Sequence, residues 1–304
     1  CDVSPNESGS KWPNFRARFA RGALRGGTHL HTFSPDGRWL SFTYEDEVLS
    51  RLGDVPAEDH DCSQRNVGVA IAGRPVQVDP DHPRNHPGDC FAVVVTRTVA
   101  RPRRDSDEIL RATDEAWIGT DGYVRRDGTR QRRALVFQGH VATANGKTHA
   151  ELFTADRPYP GLQGPRHWPR SSPDGSQIAF LMKDDLGVVQ FWLVSPNGGT
   201  PSQLTRHTCD IASAFTWSPD GQYLAHVLDS SICVTAASTG RSYRLTPPCR
   251  AAVAPLPLAC VFAPDGMRIA YTRRVSAGNK SFAQVFVVDM PPDELLVEMP
   301  FAES

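Results

Sequence analysis

A four-residue turn constrains this chain more than any other feature. Ser34-Pro35-Asp36-Gly37 returns as Ser172-Pro173-Asp174-Gly175, Ser218-Pro219-Asp220-Gly221 and Ala263-Pro264-Asp265-Gly266. Each residue has a reason to be there. Proline sets φ at the second turn position, aspartate bonds nearby backbone, and glycine supplies a positive φ. An alternating strand, Thr28 to Phe33, enters the first turn, and Trp39, Leu40 and Phe42 leave it. Ser172 to Ser218 is 46 residues and Ser218 to Ala263 is 45, while Ser34 to Ser172 is 138, three times 46. A period of ~40–45 with about four strands per repeat is the signature of β-propeller blades. Such units bury their faces only against their neighbours. The expectation is an all-β chain, a β-propeller of four-stranded blades, with about five blades present.

The 304 residues suffice for that core. A net charge of -1 provides no global field for nucleic acid or an anionic membrane. No apolar run approaches the ~20 residues of a transmembrane helix. Seven cysteines include no C-x-x-C pair, so redox and zinc-ribbon sites are not expected. Cys90, Cys233 and Cys260 read as small strand hydrophobes, which leans towards a reducing, cytoplasmic compartment. Cys1-Asp2 suits either a lipidated mature terminus or a fragment of a longer frame, and the fragment is the expectation. No G-x-S-x-G elbow, P-loop or H-E-x-x-H helix is present.

In chain order, residues 1–23 read as an arm or linker and 24–304 as the propeller, an incomplete ring. Thr28–Phe33, Arg38–Tyr44, Asn66–Ile71 and Pro75–Val78 are expected to form one sheet, with Glu45 to Arg65 an insertion. His82 to Gly88 reads as the turn region of a degenerate second unit and Cys90–Thr98 as its strand. Ser106–Thr113 reads as helical, and Ala134–Gly139 and Ala150–Thr154 as further strands. Three regular units follow, and Glu294–Val297 is expected to add an edge.

The pattern of an S-P-D-G turn, an apolar strand and a later L-T strand end (Leu204-Thr205, Leu245-Thr246) resembles the TolB-like propeller repeat. A closer likeness runs through LRGGTHLHTFSPDGRWLSFTYEDEVL, RNVGVA, DHPRN, SDEI, YPGL, PRHW and QIAFLMKDDLGVVQFWL. These stretches are similar to the YidR-like family of bacterial propellers, whose members carry further chain ahead of this region. That resemblance implies a ring of seven blades with the N-terminal ones missing here. A more distant resemblance is to oligogalacturonate lyases, propellers that hold a divalent metal, typically manganese, on an H-x-H pair just before an F-[ST]-P turn. His29-Leu30-His31 precedes Phe33-Ser34-Pro35 in that way, but Gly26 stands where those lyases have glutamine.

His29 and His31 are two apart on a strand, so regular alternation puts both on one face, bordering the channel. His167 lies five residues before Ser172, as His29 does before Ser34. The three form the expected metal set. Their alternative role is packing, as Ser213 holds the same position in the next unit. Arg84 and Arg166 are expected to act on a substrate carboxylate, with His82 and His86 binding substrate. The alternative for His82, Arg84 and His86 is a solvated turn; Asp107 and Glu108 are weaker acid or base candidates. The functional expectation is a propeller that binds a small polar ligand, an acidic sugar foremost, with a divalent cation, manganese foremost, and lyase or hydrolase activity. The competing expectation is a non-catalytic propeller binding protein or glycan.

Overall fold

The computed structural model describes residues 24, 26–46, 65–78, 87–145, 148–154, 157–159 and 168–298. Among them are no α-helix, two single 3₁₀ turns, and five sheets of three to five strands. The first sheet is β1 (Gly26–Phe33), β2 (Trp39–Asp46), β3 (Arg65–Val76) and β4 (Gly88–Val94). The second begins with β5 (Arg111–Trp117). A short ribbon, β6 (Tyr123–Val124) with β7 (Arg130–Gln131), sits in the loop that follows. The sheet continues with β8 (Leu135–Ala142), β9 (Thr148–Thr154) and β10 (Arg157–Tyr159). The third is β11 (Arg170–Ser171), β12 (Ile178–Lys183), β13 (Val189–Val194) and β14 (Ser202–Gln203). The fourth is β15 (Thr216–Trp217), β16 (Tyr223–Leu228), β17 (Ser231–Ala236) and β18 (Ser242–Arg244), and the fifth is β19 (Val261–Phe262), β20 (Arg268–Ala277) and β21 (Lys280–Asp289). A last strand, β22 (Val297–Glu298), returns to pair with β18.

The turns that announce the repeat explain themselves. In three of them the serine hydroxyl donates to the aspartate two residues on, at 2.5 to 2.6 Å, and accepts the amide five residues on. The glycine amide then closes each turn on the carbonyl three residues back. These serines are 3–4% exposed, so the hydroxyl replaces water for a buried amide. The glycines stand at φ of 68° to 74°. Gly37 and Gly175 share that conformation but not their surroundings. A Cβ on Gly37 meets nothing within 4 Å, whereas one on Gly175 falls 2.0 Å from the Gly122 carbonyl oxygen in the loop after β5. Gly37→Ala is therefore expected to cost about 1–2 kcal/mol, and Gly175→Ala roughly 3 kcal/mol or more because the backbone must also shift. Urea melts of the two variants check the order; equal losses would mean that the loop after β5 yields freely.

Successive sheets pack face to face, so the second, third and fourth each bury one face against the sheet before and the other against the sheet after. Val67 and Val69 of the first meet Trp117, Leu135 and Phe137 of the second. Ala116 and Val136 meet Ile178, Phe180 and Val194. Phe191 and Leu193 meet Phe215 and Leu224, and Val227 and Val234 meet Phe262 and Ile269. Successive first strands touch in turn, β1 to β5 to β11 to β15 to β19. That is the radial packing of propeller blades. Indole donors reinforce it: Trp117 Nε1 bonds the Thr32 carbonyl at 3.0 Å and Trp217 Nε1 the Arg170 carbonyl at 2.9 Å.

Several expectations need correction. β3 is one strand across Asn66–Ile71 and Pro75–Val76, and the fourth strand of its sheet is β4. Cys90 therefore closes the first sheet and does not open a second unit. The second sheet opens at β5, and Ser106–Thr113 is no helix: Ser106 caps a turn by donating to the Arg103 carbonyl, and the strand starts at Arg111. The C-terminal edge strand joins the fourth sheet, not the fifth. Blades are not uniformly four-stranded, since the fourth sheet has five strands and the fifth three. The arm 1–23 lies outside the described residues.

Candidate functional site

The inner strands carry a distortion that no turn motif announces. In β1, His29 pairs with Thr43 and Thr32 with Ser41, so Leu30 and His31 together oppose the single residue Phe42. In β5, Thr113 pairs with Gln138 and Ala116 with Val136, so Asp114 and Glu115 together oppose Phe137. These are β-bulges in matching register. Leu30 and Asp114 both stand at φ 57°, and Trp168, at the same distance before its turn, at φ 47°. For residues with a Cβ this conformation is strained, and such strain gathers where a site needs it.

The bulge breaks the alternation expected for His29 and His31. His29 lines a cavity of about 460 Å³ between the first two sheets. His31 is absent from its wall, and its Nε2 lies 2.9 Å from the Thr28 hydroxyl. The wall combines His29 and Leu30 of β1 with Thr113 and Asp114 of β5, the equivalent residues of two adjacent blades. Glu45, Arg65, Arg111, Gln138 and His140 complete it. Arg65 lies 3.6 Å from Glu45, and Gln138 Nε2 is 3.3 Å from His140 Nε2. Burial, then the positive charge of Arg65, holds the His29 pKa below its ordinary value. His29 therefore favours the neutral imidazole, a hydrogen-bonding or ligating form.

Behind the cavity lies Glu115, 2% exposed. Its Oε2 accepts from the Thr43 hydroxyl at 2.7 Å, and its Oε1 has no partner among the described residues. Burial raises its pKa. Thr43 is the strand partner of His29, so the carboxyl sits one residue from the cavity wall.

His82, Arg84, His86, Arg166 and His167 lie outside the described residues. Among the described residues no three histidine, cysteine or acidic side chains converge as a metal set. Glu108 bonds the backbone and guanidinium of Arg103 at 2.8 and 2.9 Å, away from the cavity. Sequence reasoning found His29 but missed Arg65, Arg111, Asp114 and His140. Their signal is tertiary: they come from three further strands that only sheet packing brings together.

Known proteins resemble this chain in sequence and, more distantly, in structure. A family described as proteins of unknown function, DUF3748, matches residues 12–86. The uncharacterized protein YidR of Escherichia coli (strain K12) is 39% identical over 296 residues, a match covering 84% of this chain and 66% of that protein. The chain thus spans just under two thirds of the relative's length. Among solved structures, TolB from Acinetobacter baumannii is 14% identical with a TM-score of 0.46, covering 87% of this chain and 55% of its own. An oligogalacturonate lyase in complex with manganese is 13% identical with a TM-score of 0.49, covering 90% and 67%. At these scores the structural likenesses carry no argument about activity. The sequence match is the informative one, and over most of its length the chain is YidR-like.

Proposed function

We propose that this protein binds a small, polar, carboxylate-bearing ligand, an acidic sugar foremost, in the cavity between its first two sheets. The observation that carries this reading is the pair of register-matched bulges, which turn the equivalent residues His29-Leu30 and Thr113-Asp114 onto one cavity. Arg65 and Arg111 supply planar donors suited to a carboxylate. Glu45, Asp114, Gln138 and His140 supply the acceptors and donors that sugar hydroxyls use. Arg84, Arg166, His82 and His86 stay in the proposal as further ligand contacts on their sequence positions alone. A divalent cation beside His29 belongs to the same reading, with His31 and His167 kept as ligands on their sequence positions alone. Among the described residues no three such donors converge for it.

Calorimetric titration with a galacturonate oligomer, with and without manganese, tests the proposal. Arg65→Ala and Arg111→Ala are each expected to weaken binding about tenfold or more, since each removes a charge-assisted contact. Uronate that fails to bind, or binds the double variant unchanged, would overturn it. Elemental analysis of the purified protein tests the cation separately.

A second reading, a non-catalytic interaction propeller, draws on the fifth sheet. Val261, Val285 and Val287 are 50–66% exposed on it, and exposed apolar sheet faces are surfaces for association. Turnover of the uronate by the protein favours the first reading; a partner bound with no small ligand favours the second.

A further inference from the structure

A second cavity, of about 270 Å³, opens at the turn end of the same inner strands. Thr32, Phe33, Trp117, Thr120, Arg170 and Pro173 are among its walls. Where the first cavity takes Thr113 and Asp114 of β5, this one takes Ala116 and Trp117, so the two face opposite ends of the strand. Its one charged wall residue is Arg170, and the arginine is fixed with care. Its guanidinium lies 4.1 Å over the Trp168 ring, and its Nη1 donates to the Pro169 carbonyl at 2.7 Å. The indole beneath it is held by a bond from Trp168 Nε1 to the Phe215 carbonyl at 3.2 Å. The strained φ of Trp168 belongs to this stack. Among the described residues no carboxylate stands at ion-pair distance from Arg170. Asp114 and Glu115 of β5 act on it only through their field, and although burial lowers its pKa to about 10, it stays protonated at neutral pH. A part-buried cation without a paired acid is costly. Beside it Phe33, 65% exposed, presents a large apolar surface that the core does not use.

We infer that this turn-side cavity is a second binding site, for an organic carboxylate with an apolar body: Arg170 takes the carboxylate and Phe33 the body. A guanidinium pre-set by stacking loses little freedom on forming two parallel hydrogen bonds. Phe33, Trp117, Pro35 and Pro173 offer the desolvated contact. The site is independent of the uronate reading, since it shares none of that cavity's walls.

The experiment is calorimetry on the whole chain with 3-phenylpropionate and with 3-phenylpropionamide, which matches it in shape but lacks the charge. The acid is expected to bind and the amide to bind at least about tenfold more weakly, because a charge-assisted bidentate contact is lost. Arg170→Gln is expected to remove the distinction between acid and amide. Phe33→Ala is expected to weaken both ligands, with the melting temperature unchanged. Arg65→Ala with Arg111→Ala is expected to leave both affinities as they were. Should Arg170→Gln fold poorly, Arg170→Lys keeps the charge, loses the fork and is expected to weaken the acid alone. Acid and amide binding alike, an Arg170 variant that binds as the parent does, or no binding of the acid by about 10 mM would each overturn the inference.

Discussion

Acidification from pH 7 to pH 4 is expected to destabilise the protein by about 5 kcal/mol, through two histidines buried as neutral rings. His226 is fully buried, and its Nε2 lies 2.8 Å from the Thr235 hydroxyl. Thr235 Oγ1 lies 2.6 Å from Ser242 Oγ, which lies 3.0 Å from Nε2 of His207. This chain of four side chains ties the loop after the third sheet to the middle of the fourth. Burial lowers His226 to about 3 and His207 to about 4, from an ordinary 6.5. Between those values and 6.5 the unfolded chain binds protons that the native chain refuses. Stability therefore rises with pH across that window and is complete above about 6.5. Each group contributes up to about 1.4 kcal/mol per pH unit. Glu115 works with the opposite sign, because a raised folded pKa favours the native state as pH falls towards 4.5. His226→Gln isolates the histidine part: the amide keeps a donor for Thr235 but cannot titrate. Its urea stability, measured from pH 4 to 7, is expected to follow a slope shallower by one proton. An unchanged slope would mean that His226 is not the group that refuses the proton.

The same network shows where the sequence was legible. The turns could be read because their logic is local: Ser34, Asp36 and Gly37 act on backbone within five residues. The regular units from Gln177 onward could be read because strand alternation and turn spacing agree there. The inner-strand bulges could not, because Leu30, Asp114 and Trp168 take up a conformation that their own side chains disfavour. Only the surrounding packing imposes it. The strand β5 reads as polar because Thr113, Asp114 and Glu115 are buried in it, each at 8% exposure or less. Burial of such residues is a tertiary outcome that composition hides. His29 was visible for its spacing from the turn, and Arg65 was not, since it reaches the cavity from the third strand of its sheet. Arg170 had a faint signal, a Trp-Pro-Arg run directly before Ser171 and the turn, that spacing alone does not interpret.

Two phenylalanines of the inner strands are expected to behave in opposite ways on truncation. Phe215 is fully buried, three residues before its turn. Its ring meets Phe191 edge-on at 4.8 Å within the cluster of Leu224, Leu228 and Cys233, and its carbonyl receives the Trp168 indole. Phe215→Ala leaves a cavity at the joint between the third and fourth sheets, where a radial fold has no other contact to substitute. A loss of about 3–5 kcal/mol is expected. Phe33 stands directly before its own turn, and 65% of it is in water. Phe33→Ala removes little buried area, so its effect is expected within about 0.5 kcal/mol. Denaturant melts of the two variants give the comparison directly. The position of Phe215 is held by His31, Glu115, Pro169 and Cys260 in the other four repeats. The repeat therefore requires no aromatic ring there, and the large cost belongs to the packing of this one joint. A Phe33→Ala loss of several kcal/mol would instead make that ring part of the core and remove it as the apolar wall of the turn-side cavity.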